Sequence, residues 1–238
     1  MSTITISPKN QSASALLEID TIGASIQRLK LRDTEILWSG TRPDGGKGIT
    51  HPCIPNFNIA EGLPNHGPAR KEEWTQINDS SFSWKMQSIG ELFPIGLEAK
   101  RIFQLEPDKL TTITQIVNKS SRDLPINIAE HNYFACAPDK RAQVKVNGIV
   151  FDKDGLEANA KYSLIGGNEL KIEIPNLPTI VMTVDGYTAF AQWSQPNAPF
   201  VCVEPIQVLP PEPTQFMAKA PQIKAGETKE FRYELKVI

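Results

Sequence analysis

Glu204, His131 and His66 are the residues of this 238-residue chain best equipped to move protons. His131 sits in Ile128-Ala-Glu-His-Asn-Tyr-Phe134, and His66 opens His66-Gly-Pro-Ala-Arg70. Glu204 ends the run Val201-Cys-Val-Glu204 before Pro205. Two imidazoles and a carboxylate can take protons from oxygen atoms and return them near neutral pH, because their pKa values bracket that range. The chain has three histidines in all, and two of them stand next to glycine, arginine or paired aromatics.

Each of these residues also has a plainer reading. His66 lies in a loop, where catalytic groups are often held above a rigid scaffold, but a histidine there can equally bond a turn backbone. His131 follows the strand-like segment 125–129, and Tyr133 and Phe134 beside it offer a low-dielectric wall and a stacking face for a ring-shaped ligand. Its plain alternative is a core histidine with one satisfied nitrogen. Glutamate is rarely buried without a partner, so Glu204 either turns out to solvent at the strand end or lines a site. Arg70 can hold neighbouring sugar hydroxyls with its forked guanidinium, or be a surface charge like the neighbouring Lys71, Glu72 and Glu73. His51, in Thr50-His-Pro-Cys53, reads as structural or peripheral. No GxSxG elbow, phosphate-binding GxxxxGK[ST] loop or HExxH pair occurs. No histidine spacing favours a metal, so no metal or cofactor is expected.

The elements that must position these residues are strands. Phe82, Trp84 and Met86 alternate with polar residues, as do Leu170, Ile172 and Ile174. Phe231, Tyr233, Leu235 and Val237 share one face, with Arg232, Glu234 and Lys236 on the other. Each pattern marks a strand with one wet and one buried side. Asn147-Gly148 reads as a tight type I′ hairpin, and Pro107-Asp108-Lys109 as a second reversal. Nineteen prolines exceed the usual share of about 5%, and those at 175–178 and 210–213 should fall in loops. There is no helical stripe, internal repeat or linker. One all-β domain over residues 1–238 is expected, an antiparallel sandwich or barrel.

Net charge of −2 disfavours a nucleic-acid partner. Cys53, Cys136 and Cys202 form no CxxC pair and read as reduced, buried thiols. No signal-peptide pattern opens the chain, and no stretch approaches the ~20 apolar residues of a membrane span. A soluble cytoplasmic protein, monomer or homodimer, is expected.

Taken together, these segments resemble the aldose 1-epimerase (galactose mutarotase-like) family. Residues 23–29 followed by Glu35-Ile-Leu-Trp38 look like its opening strands. His66-Gly-Pro-Ala-Arg70 is similar to its HGFAR segment, His131-Asn-Tyr-Phe134 to its HPYF segment, and Val203-Glu-Pro205 to its late Glu-Pro element. Gly226-Glu-Thr228 resembles the turn before its last strand. The resemblance implies a large antiparallel β-sandwich (a supersandwich) with an open sugar-binding face. It implies Glu204 as general base, His131 as general acid with His66 assisting, and Arg70 and Tyr133 on the sugar. The reaction would be interconversion of hexose anomers through the open aldehyde, without cofactor. Pro68, Asn132 and Ile206 depart from the family pattern. The acidic sugar ligand that many members carry between the second histidine and the glutamate has no assignable match, with Asp152, Asp154 and Asp185 all in range. A hexose-6-phosphate mutarotase, with Arg70, Lys71 and Lys47 as candidate phosphate ligands, and a non-catalytic carbohydrate-binding protein are the alternatives.

Overall fold

A computed structural model of the chain describes residues 2–8, 14–87, 96–150 and 160–238. In it the alternating segments become strands with one buried face. Phe231, Tyr233, Leu235 and Val237 point inward from Thr228–Val237. Leu170 and Ile172 do so from Glu169–Glu173, and Phe82 and Trp84 from Ser81–Lys85. These strands belong to a nine-stranded antiparallel sheet whose centre is Thr228–Val237 against Lys109–Asn118 against Leu97–Glu106. Leu97–Glu106 and Lys109–Asn118 reverse through Pro107-Asp108, with Glu106 opposite Lys109. At the sheet edge, Asn147 and Gly148 take φ values of 51° and 77° and join Lys145–Val146 to Ile149–Val150. Two positive φ angles are what a type I′ turn requires.

The second large sheet carries the three residues singled out by chemistry or lies beside them. Lys161–Leu164, Ala189–Trp193, Phe200–Ile206, Ala129–His131 and His51–Cys53 lie side by side in that order, and Tyr133–Ala135 also pairs with Phe200–Ile206. Period-two geometry sorts the side chains of Phe200–Ile206 between two environments. Val201 and Val203 join the main core between the sheets, whereas Phe200 and Cys202 pack with Tyr133 on the opposite face. Glu204 shares that opposite face by the same alternation.

Pro205 does not end its strand, because Phe200–Ile206 runs through it. Ala129 pairs with Ile206 and Tyr133 with Cys202 in one continuous register. Between them the ladder is interrupted where Pro205 supplies no N–H. Asn132 spans the gap by donating its Nδ2 to the Val203 carbonyl at 3.4 Å. That register sets His131 directly across from Glu204, and on its other side His131 pairs with His51.

Alternation also sends Glu130 the other way, into the interior. There Arg101 Nη1, from the nine-stranded sheet, donates to both Glu130 oxygens at 2.8 and 3.0 Å, and Thr114 Oγ1 adds a bond at 3.3 Å. Arg101 and Glu130 are 0% and 1% exposed, so this pair ties the two sheets together directly beneath His131. A four-stranded sheet, Thr3–Ile6, Leu16–Asp20, Ser25–Leu31 and Thr34–Glu35, adds Leu17, Ile19, Ile26, Leu29 and Leu31 to the same core. The fold is a large antiparallel β-sandwich. All three cysteines are free and buried. No helix among the described residues is long and apolar enough to cross a membrane.

Candidate active site

A cleft of about 590 Å³ opens on the outer face of the six-stranded sheet, and His131, Glu204 and His66 all line it. His131 Nε2 stands 3.5 Å from Glu204 Oε2. The pair is nearly sealed, at 4% and 1% exposure. Glu204 Oε2 and His131 Nδ1 have no hydrogen-bond partner, which is costly for buried polar atoms.

His66 reaches the cleft from a tightly pinned loop. Its backbone takes φ 61° and Gly67 follows at 71°, a region disfavoured for a side-chain-bearing residue. The loop is held by Gly67 N–H to the Pro64 carbonyl at 2.9 Å, His66 N–H to the Asn58 carbonyl at 3.1 Å, and Asn56 Nδ2 to the carbonyls of Asn58 and Pro64. Only glycine fits at 67, since a Cβ there would lie 1.9 Å from the Ile54 carbonyl oxygen. The Asn58 N–H donates to His66 Nδ1 at 3.0 Å. A nitrogen that accepts carries no proton, so neutral His66 holds its proton on Nε2 and is a hydrogen-bond donor.

His51 lies beneath rather than on the cleft wall. Its Nδ1 donates to the Ile49 carbonyl at 2.7 Å, and its ring stacks on His131 at 4.9 Å. Tyr133 packs on His131 as well, at 4.7 Å and 14° between ring planes, while His66 meets His131 edge-on at 5.0 Å. Tyr133 is 1% exposed and is not part of the cleft lining; it braces His131. Arg70 is likewise absent from the lining, but its charge, secondary to burial, helps hold the imidazoles neutral.

The cationic side chain that does line the cleft is Arg42, which sequence reasoning did not single out. Its Nε and Nη2 grip Asp44 at 3.1 and 2.9 Å, its Nη1 donates to Tyr133 Oη at 3.3 Å, and its guanidinium lies over Trp193. Gln195 Nε2 donates to Asp44 at 2.8 Å. Trp193, Phe57 and Tyr162 supply aromatic wall, with Tyr162 Oη accepting from Asn58 Nδ2 at 3.1 Å. Long-range folding brings Arg42 and Asp44 here, against Tyr133 and Gln195. Asp44 is the acidic residue on the cleft rim. Asp185 lies elsewhere, on the nine-stranded sheet beside Arg232 and Glu234, and Asp152 and Asp154 fall outside the described residues.

Electrostatics follow from burial. Desolvation pushes Glu204 well above the usual carboxylate range. It pushes His131 and His66 well below the usual imidazole value, with neighbouring imidazoles and arginines adding to the fall, and His51 down to about 3, with arginines adding to it. The neutral form of every group is favoured. Burial thus favours a Glu204–His131 pair that shares a single proton, and moving it between them interconverts an acid–imidazole pair and a carboxylate–imidazolium pair. The arrangement can accept one proton from a ligand and donate another in the same event.

Comparison with known proteins agrees with the fold. No curated protein matches the sequence. Solved structures with the same fold include the Slr1438 protein of Synechocystis sp. PCC 6803, with TM-score 0.79 and 16% identity over 100% of this chain and 96% of that one. A galactose mutarotase-like protein from Lactobacillus casei ATCC 334 has TM-score 0.77 and 18% identity, with 100% of both chains covered. A galactose mutarotase related enzyme from Lactobacillus acidophilus has TM-score 0.78 and 16% identity over 100% and 97%. The family model described as aldose 1-epimerase matches residues 4–164, a span that includes His66 and His131. Because that span exceeds half of its length, the chain belongs to the aldose 1-epimerase family.

Proposed function

We propose that this protein interconverts the α and β anomers of a free hexose. The observation that carries the reading is Glu204 set across from His131, 3.5 Å away, at the floor of an aromatic-walled cleft. In the reactive state Glu204 is the carboxylate and His131 the imidazolium. Glu204 takes the proton of the anomeric hydroxyl while the C1–O5 bond breaks, and His131 delivers its proton to O5. The His66 Nε2–H supports O5 through a hydrogen bond. The product state is an open aldehyde over a neutral acid–imidazole pair, the form that burial favours, so the protons balance and the site is set for the return. After rotation about C1–C2, the same pair working in reverse closes the ring on the other carbonyl face. Trp193 and Tyr162 offer apolar ring faces to the sugar, and Arg42 and Asp44 offer a donor and an acceptor to its hydroxyls.

A free sugar is favoured over a phosphorylated one because Arg42, the cation lining the cleft among the described residues, is already paired with Asp44. Lys47 is paired with Asp20, and Lys71 is exposed and outside the lining. NMR exchange between anomeric protons of glucose, galactose and glucose 6-phosphate tests this. Acceleration for the free hexoses is expected, with Glu204→Gln removing about 10²–10⁴-fold of it. Sugar binding by calorimetry with no acceleration for any of them would leave a carbohydrate-binding protein instead.

A further inference from the structure

We infer that the floor of the cleft is also a binding site for a zinc-like divalent cation, held by His131, Cys202 and Glu204. Donor atoms of these three residues lie within 4.8 Å of one another. Strand geometry explains why: Cys202 and Glu204 are two apart on Phe200–Ile206 and share a face, and His131 stands across from Glu204 in register. Imidazole, thiolate and carboxylate are the three ligand types zinc uses. Bond lengths of about 2.0–2.3 Å put tetrahedral zinc donors roughly 3.3–3.8 Å apart. The His131–Glu204 separation of 3.5 Å already fits, and Cys202 needs to close by only about 1 Å.

Two further observations point to a ligand at this place. Glu204 Oε2, on a residue 1% exposed, has no hydrogen-bond partner, and His131 Nε2 stands 3.5 Å away. His131 and Glu204 also line the cleft, so the fourth coordination position is open to a water from that side. On binding, the Cys202 thiol releases its proton to solvent as its sulfur becomes a metal ligand. The donor set discriminates by softness. Zinc and cobalt(II) fit it, whereas magnesium and calcium, which require more oxygen ligands, do not.

Occupancy removes both members of the proton-transfer pair, so zinc and sugar exclude one another; this clause rests on the proposed function, whereas metal binding itself does not. Anaerobic titration of the full chain with cobalt(II) should give a near-ultraviolet thiolate-to-metal charge-transfer band and the intense visible bands of a tetrahedral site. Zinc should erase them and magnesium should not. Cys202→Ser and Cys202→Ala should abolish the charge-transfer band and weaken zinc at least about tenfold, as losing a ligand costs no less than losing an outer-sphere partner. Cys202 has no part in proton transfer, so these variants should keep their mutarotation rate while losing zinc inhibition. Absence of the band in the wild-type protein, or its persistence in both Cys202 variants, overturns the inference. Should the protein prove inactive on sugars, the cobalt spectrum still decides the metal site. Zinc that binds without slowing an active enzyme places the ion away from His131 and Glu204 and also overturns it.

Discussion

At the scale of single residues, burial decides what Glu204 and His131 can do. A solvated glutamate and histidine, at ordinary values of 4.5 and 6.5, would hold one proton between them over only about two pH units. Desolvation raises the carboxyl and lowers the imidazole, so here the one-proton state extends in both directions. The kcat/KM profile for mutarotation is therefore expected to be bell-shaped with a plateau wider than two units, its limbs belonging to the pair rather than to either residue. A bell no wider than that of a solvated pair would remove burial from the account. The same physics predicts that, without sugar, imidazole nitrogen resonances of all three histidines report neutral rings at pH 6, with His66 protonated on Nε2. An imidazolium signal for His131 at that pH would mean that the resting pair is ionic. His66 adds a hydrogen bond without titrating, so His66→Ala should lower kcat, by less than Glu204→Gln does, and leave the limbs of the profile in place.

At the scale of elements, the ion pair under the strand that carries His131 has the clearest expectation. Removing one partner of a buried pair leaves an uncompensated charge and costs about 3–5 kcal/mol, whereas replacing both with apolar residues is often neutral. Arg101→Met should therefore destabilise strongly in urea unfolding, and Arg101→Met combined with Glu130→Leu should recover most of the loss. Equal destabilisation of the single and double variants would assign the effect to packing alone. At the other edge of the site, Gly67→Ala must move the loop off the Ile54 carbonyl, and it should lower kcat by displacing His66. These elements differ in how far sequence revealed them. Period-two patterns in 82–86, 170–174 and 231–237, and the Asn147-Gly148 turn, were legible because they depend on neighbours in the chain. His66, His131 and Glu204 were legible through short motifs, and the family match covers the first two. The partnership of Arg101 with Glu130 and the arrival of Arg42 beside Tyr133 were not. Each joins residues far apart in sequence, and a lone arginine carries no local sign of whether it will be solvated or buried. Pro205 gave no local sign of its place. Proline usually stops a strand, but here Phe200–Ile206 runs through it, with Phe190 still opposite Pro205 on the other side.

At the scale of the whole molecule, gathering three imidazoles and a carboxyl that burial holds neutral around one cleft couples the site to global stability. Unfolded histidines take up protons as pH falls through about 6.5, while the folded rings stay neutral, His51 down to about 3. Below 6.5 the unfolded chain therefore binds more protons, and stability falls by up to about 1.4 kcal/mol per pH unit for each histidine. Glu204 and Glu130 act in the opposite sense, because burial raises both. Folded, they keep protons that the unfolded chain releases above about 4.5, so their contribution is complete below that pH and is lost as pH rises. Between roughly 4.5 and 6.5 the two effects partly cancel; below 4.5 the carboxyl contribution no longer changes with pH and the histidines act unopposed. Urea unfolding free energy is thus expected to decline gently from pH 6.5 to 4.5 and steeply below it. His51→Asn keeps a donor near the Ile49 carbonyl but removes a titrating ring that never meets the sugar. It should flatten the dependence below pH 6.5 by up to about 1.4 kcal/mol per unit. A slope identical to that of the wild type would show that His51 is not held neutral by the fold, and the proton inventory of the site beneath His131 would have to be redrawn.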